Sequence, residues 1–301
     1  QIDHPSNKSG YISKDYTTFP KMNCTRKSDV FWDKKTIQNG AYTKDEFAYT
    51  LNPFDLDSLD NFTKNNLVFE GVLESNGMLP ELNEPLVLME DNSLGFHLPL
   101  KEEGIKAYNN KVHLTGDLTL NHSGMKSKGD LNYLTTHAKS EDFTLTPRLL
   151  FGLTSEYKND FNEKANVADY TAAKVDLMYA EKDEALTVST KTEHIIGFKN
   201  EAEIIGSTTL TPKGMMGKGE IQLVGASVSS NKFSLKSRII LADTSAFNIK
   251  NADNSNALAL RTDNVSANID FDKRKGNFKS NNGETKIEFP ANEYICFMDQ
   301  F

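Results

Sequence analysis

Residues 116–157 align with residues 206–247 without a gap, and 13 of the 42 positions are identical. Unrelated stretches of ordinary composition share roughly two or three. The identities pair Gly116 with Gly206, Thr119 with Thr209, Leu120 with Leu210, Gly124 with Gly214, Met125 with Met215, Lys128 with Lys218 and Gly129 with Gly219. They continue through Ser140 and Ser230, Phe143 and Phe233, Leu145 and Leu235, Arg148 and Arg238, Thr154 and Thr244, and Ser155 and Ser245. Similar pairs such as Leu131 with Ile221 and Tyr157 with Phe247 extend the match. Self-similarity at a fixed spacing marks an architecture in which no unit buries its apolar face alone and neighbours must cover it.

The pattern inside a copy has a period of two. Val112, Leu114, Gly116, Leu118 and Leu120 alternate with polar residues, as do Val265, Ala267, Ile269 and Phe271. This is the signature of strands with one buried face. The Gly-Met pairs at 124–125 and 214–215 follow short polar stretches, so Gly124 and Gly214 are expected to supply the positive φ of hairpin turns. A shorter echo, Leu73, Gly77 and Met78, repeats the spacing of Leu120, Gly124 and Met125 at 47 residues and suggests a half-repeat. Helical periodicity is weak everywhere, with residues 168–180 the best candidate. The expected fold is all-β, built of serially stacked antiparallel hairpins that form a solenoid-like or curved open sheet. Residues 1–63 lack the repeat signature and contain the only Trp, Trp32; they are read as a diverged β unit ending in a loop around 53–59. Residues 64–301 are read as the repeated sheet units.

Composition narrows the function. The net charge of −8 opposes the clustered Lys and Arg of a nucleic-acid surface. No apolar run reaches the roughly 18 residues of a membrane helix, and residues 1–9 have no signal-peptide pattern. The chain opens on Gln1 and stops at Phe301 within the strand-like run 294–298, which suggests an excised piece that continues beyond Phe301. Cys24 and Cys296 are the only cysteines and have neither metal-site nor disulfide-framework spacing.

Several phrases of the sequence carry a resemblance: NPFDLDSLDNF at 52–62, FEGVLESNGMLP at 69–80, EDNSLGF at 90–96, GMKSKGDLNYLTT at 124–136 and IEFPANEYICFMDQF at 287–301. Over residues 40–301 the chain resembles a family of large repeat proteins of the Bacteroidetes cell envelope. The GMxxKGxL and GMxxKGxI rungs are more loosely similar to AsmA/TamB-type envelope proteins, whose stacked strands form a lipid-carrying groove. The resemblance implies a periplasmic or cell-surface location, with other parts of the same protein or other envelope proteins as partners and lipid as a further candidate. It carries no catalytic activity. Pro147 and the charges at strand ends depart from a uniformly apolar groove.

No local motif supplies chemistry. The histidines, at 4, 97, 113, 122, 137 and 194, never fall at HxH or HxxxH spacing. His113, on the polar side of a strand, and His122, in a turn, read as solvated. Glu90 with Asp91, and Asp55 with Asp57 and Asp60, could hold Ca²⁺ only if their oxygens converged, and the calcium-loop pattern is absent. The GxSxG, Walker and GxGxxG motifs are missing, so no nucleophile, cofactor or metal residue is assigned. Arg148 and Arg238 recur with the repeat and are read as partners of carboxylates or strand ends rather than as anion sites. Sequons at Asn61, Asn121 and Asn264 matter only in a glycosylating pathway, and 57–59 fits the short Asp-Ser-apolar pattern of Bacteroidetes O-glycosylation.

The leading expectation is a non-enzymatic structural or scaffold segment of a larger envelope protein. A lipid-transfer module would instead expose Leu118, Leu120, Phe143 and Leu145 along an apolar groove. An adhesin or glycan binder would expose Tyr108, Tyr133 and Tyr157 on one face.

Overall fold

The computed structural model describes residues 2–3, 21–32, 42–56, 67–251 and 257–301. The fold is all-β, and among the described residues the only helical element is a 3-10 turn at Pro290–Asn292. The largest sheet is antiparallel and has 22 strands. The chain forms two compact units, one of Gln1–Gly129 with Thr144–Arg148 and the other of Asp130–Phe143 with Leu149–Phe301.

The ninety-residue repeat reappears as repeated strand boundaries. Gly124–Tyr133 and Thr136–Leu145 in the first copy correspond residue for residue to Gly214–Leu223 and Ala226–Leu235 in the second. Both copies enter through the same hairpin. Asn121 pairs with Gly124 and Leu120 with Met125, and ninety residues on Thr211 pairs with Gly214 and Leu210 with Met215. Gly124 and Gly214 have φ of 97° and 122°, the positive values that the turn was expected to need.

Two further identities, Gly116 with Gly206 and Gly129 with Gly219, share one cause that the sequence pattern did not disclose. Gly206 and Gly219 face each other across the hairpin. A Cβ on Gly206 would lie 2.1 Å from the Lys218 carbonyl oxygen, and one on Gly219 would lie 2.2 Å from that of Ile205. Gly116 and Gly129 make the same crossing, with 2.2 Å from each to the opposing carbonyl. Only a residue without Cβ lets the backbones approach this closely.

The recurrent Ser also has a local job. The Ser140 hydroxyl accepts the Asp142 N–H and donates to the Leu153 carbonyl at 2.7 Å. The Ser230 hydroxyl accepts the Lys232 N–H and donates to Thr244 at 2.7 Å. Each satisfies backbone groups where its strand departs from regular pairing.

In the second unit the strands Ala202–Thr211, Gly214–Leu223, Ala226–Leu235, Ile239–Lys250 and Leu258–Asp270 follow one another as antiparallel neighbours. Their alternating Leu210, Ile221, Val228, Phe233, Leu235, Ile240 and Val265 form the core. Burying each such side chain contributes about 1.5–3 kcal/mol. Residues 168–180, the best helical candidate, form the strands Tyr170–Ala172 and Val175–Ala180. Val175, Leu177 and Tyr179 are buried there while Met178 points out, so the period of two prevails over helix propensity.

The first unit holds two three-stranded sheets. In one, Lys21–Cys24 lies between Ile2–Asp3 and Phe54–Leu56; in the other, Ala48–Leu51 lies between Ser28–Val30 and Gly71–Glu74. The half-repeat at Leu73, Gly77 and Met78 does not reproduce the hairpin. After Gly77 (φ 84°) the only pairing back to this strand among the described residues is an isolated bridge from Leu82 to Leu73, and the Gly77 and Met78 carbonyls accept the N–H groups of Asn109 and Tyr108. The Gly-Met dipeptide supplies a turn here, but the residues beyond it pair elsewhere.

Candidate functional site

In the first unit an aromatic cluster covers the hairpin end at 121–126. Trp32, Tyr42 and Phe47 are buried, with Phe47 edge-on to Trp32 at 5.2 Å and to Tyr42 at 4.7 Å. The Trp32 indole N–H donates to the Asn121 carbonyl at 2.8 Å. The Tyr42 hydroxyl accepts the Met125 N–H at 3.0 Å and donates to the Leu145 carbonyl, so it bridges two strands. Burial, partly offset by the Met125 N–H, pushes the phenol up to about 12, and it stays neutral at physiological pH.

Two cavities lie at the two ends of the second unit's hairpins. One, of about 610 Å³, opens at the equivalent hairpin end and is lined by Thr211, Lys213, Met216, Lys236 and the acidic turn at Asp183 and Glu184. The other, of about 570 Å³, lies at the opposite end of these hairpins, around the turn at Val224. Its wall is aromatic. Phe278 stacks on Phe247 at 4.1 Å and on Phe301 at 5.2 Å, and the Phe278 and Phe301 backbones exchange N–H···O bonds of 2.8 and 2.9 Å. Phe247 was visible in the sequence as the repeat mate of Tyr157. Its grouping with Phe278 and Phe301 was not, because strand register creates it and no spacing encodes it.

The residues singled out from sequence mostly serve structure. Leu118, Leu120, Phe143 and Leu145, which a lipid-transfer groove would expose, are fully buried among protein side chains. Tyr108, Tyr133 and Tyr157, which a glycan-binding face would expose, are at most 2 % exposed. The Tyr108 hydroxyl donates to the Thr146 carbonyl at 3.0 Å, and that of Tyr133 donates to Glu184. Strand alternation places these rings inward, where the Tyr108 and Tyr133 hydroxyls find backbone acceptors and that of Tyr157 meets the Thr136 and Thr208 side chains.

The two recurrent arginines hold carboxylates. Arg148 binds Glu46 through Nη2 at 2.7 Å and Nε at 3.1 Å while remaining 77 % exposed. Hydrogen bonds from Arg148 and Thr43 hold the Glu46 carboxyl below its ordinary value. Arg238 is 13 % exposed. It donates to Glu201 at 2.6 Å, to Asp272 at 3.0 Å and to the Phe198 carbonyl at 3.0 Å, and it lies 5.2 Å over the Phe271 ring.

The five described histidines are dispersed, and His4 lies outside the described residues. His113 meets the Glu103 carbonyl at 2.7 Å, His97 lies 3.5 Å from Asp117, and His194 lies 2.9 Å from Glu203. His137 contacts Asn132 and lies 3.3 Å from Asp160. His122 reaches Asp91 at 2.6 Å. Hydrogen bonds from the Ser93 hydroxyl and N–H, and then from His122, bring the Asp91 carboxyl down to about 2. Among the described residues, no three His, Cys, Asp or Glu side chains converge on a metal position. Cys24 and Cys296 are free thiols. The Asn121 side chain is taken up by Ser123 of its own sequon, and Asn264 accepts from Asn281 at 3.4 Å. Asp55 is an exposed strand residue, whereas Asp57, Asp60, Asn61 and the 57–59 pattern lie outside the described residues. Among the described residues no helix is long and apolar enough to cross a membrane. Comparison with protein families, curated proteins and solved structures finds no match to this chain.

Proposed function

We propose that this chain is a non-enzymatic scaffold segment of a larger bacterial envelope protein, placed in the periplasm or at the cell surface, with other parts of that protein or other envelope proteins as partners. The observation that carries this reading is how the alternating residues are used. Leu118, Leu120, Phe143 and Leu145 fill the core, and Tyr108, Tyr133 and Tyr157 tie it together from inside. A lipid shuttle needs the first set open to its cargo, and a glycan-binding face needs the second set at the surface. Sheets whose apolar faces are filled by their own side chains resist deformation and present polar faces and loops to neighbours.

The test is transfer of a fluorescent phospholipid from donor to acceptor vesicles in the presence of the purified chain, with hydrogen exchange run in parallel. The expected result is a transfer rate equal to that of protein-free vesicles, together with long-lived protection across the strands 202–270. Transfer that rises with protein concentration overturns the scaffold reading.

A further inference from the structure

The aromatic cavity of the second unit has features that a scaffold does not require. Val224, in the turn between Gly214–Leu223 and Ala226–Leu235, is fully exposed at its mouth, where a polar turn residue would be the ordinary choice. Behind it lie Ile269, Phe271 and the stacked Phe247, Phe278 and Phe301. A volume of about 570 Å³ falls within the range of sites that bury most of a small ligand.

The rim carries a specific charge. Four ionisable side chains border the cavity: Glu201, Asp270, Arg274 and Lys275. Both acids are already engaged. Glu201 is bound by Arg238 at 2.6 Å, and Asp270 by Lys273 at 3.0 Å and by the N–H groups of Asp272 and Lys273. Arg274 and Lys275 are exposed and form no ion pair among the described residues. An apolar cavity whose two uncommitted side-chain charges are both positive complements a ligand with an apolar body and one anionic head.

We propose that this cavity binds a single-chain anionic amphiphile, with the alkyl chain against Phe247, Phe278 and Phe301 and the head group at Arg274 and Lys275. This is a discrete site for one molecule and is independent of the scaffold reading, since holding such a ligand does not move phospholipid between membranes.

Isothermal titration of the purified chain with dodecanoate, kept below micelle-forming concentrations, tests it against the cationic counterpart dodecyltrimethylammonium. Dodecanoate is expected to saturate at one molecule per chain and to bind about tenfold more tightly than the cation, the scale of two exposed charge contacts. The double variant Arg274→Glu with Lys275→Glu should remove or reverse that preference. Val224→Asn should weaken both ligands by about tenfold by placing a neutral polar group in the apolar mouth. All three positions are exposed, so unchanged circular dichroism is expected in every variant. No saturable binding, equal affinity for the two head groups, or binding unaltered by the variants overturns the proposal.

Discussion

The two copies of the hairpin turn, 121–126 and 211–216, have the same strand register and different surroundings. The first is covered by Trp32, Tyr42 and Phe47, so that a Cβ on Gly124 would lie 2.8 Å from the Tyr42 hydroxyl. The second borders a cavity of about 610 Å³, a Cβ on Gly214 would meet nothing within 4 Å, and Met216 is 42 % exposed. In the first copy Tyr42 bridges Met125 and Leu145, the counterparts of the register partners Met215 and Leu235 in the second. The repeat therefore encodes the hairpin, and a segment outside the repeat decides whether its end is closed. A repeat unit left uncovered keeps its fold but gains a cleft.

The largest expected effect comes from removing the cover. Tyr42→Ala deletes a buried ring together with the hydroxyl that satisfies Met125 N–H and Leu145 C=O, and it should cost about 3–5 kcal/mol in urea unfolding. Hydrogen exchange should accelerate at 121–126 and 144–146 while 211–216 keeps its rate. If both turns exchange faster together, or neither does, the aromatic cover is not what separates the copies.

A smaller effect separates the two turn glycines. Gly214→Ala meets open space and bears only the backbone strain of its positive φ, about 1–3 kcal/mol. Gly124→Ala bears similar strain and also collides with Tyr42, adding about 1–3 kcal/mol of overpacking. The excess should vanish when both substitutions are made in a Tyr42→Ala background, which a double-mutant cycle measures. An excess that survives removal of Tyr42 would assign the difference to the turns themselves.

The same contrast explains what could be read from the sequence. Alternation at 112–120 and 265–271 revealed strands, and the offset revealed hairpins with glycine turns, because backbone geometry depends on neighbours a few residues away. The Gly116–Gly129 crossing appeared only as two unexplained identities, since its cause is contact across a hairpin. Whether Tyr108, Tyr133 and Tyr157 form an exposed face or buried ties turned on which side of each strand faced the core, and that requires the partner strands. The aromatic cavity depends on bringing positions 247, 278 and 301 together, and the cover of the first hairpin on a contact between Tyr42 and Leu145 across 103 positions. No local pattern contains either.

The smallest expected effect concerns acid, and it marks the first turn alone. Asp91 accepts the Ser93 hydroxyl at 2.6 Å and the Ser93 N–H at 2.9 Å, and it pairs with His122; the His122 N–H in turn reaches the Ser93 hydroxyl at 3.0 Å. In the second copy Pro212 stands at the position of His122 and has neither an N–H nor an imidazole to join such a clasp. The folded Asp91 carboxyl lies at about 2, below the ordinary value near 3.9. The clasp therefore adds stability above about pH 4, and this is lost as pH falls through about 2. Asp91→Asn should lower the thermal midpoint slightly at neutral pH, with the gap to the parent chain closing between about pH 4 and 2. Exchange at 121–123 should report the loss, while exchange at 211–213 should not respond to the substitution at any pH. A gap that stays constant with pH would show that the Asp91 charge contributes nothing to holding the first turn, and would leave the aromatic cover as the whole difference between the copies.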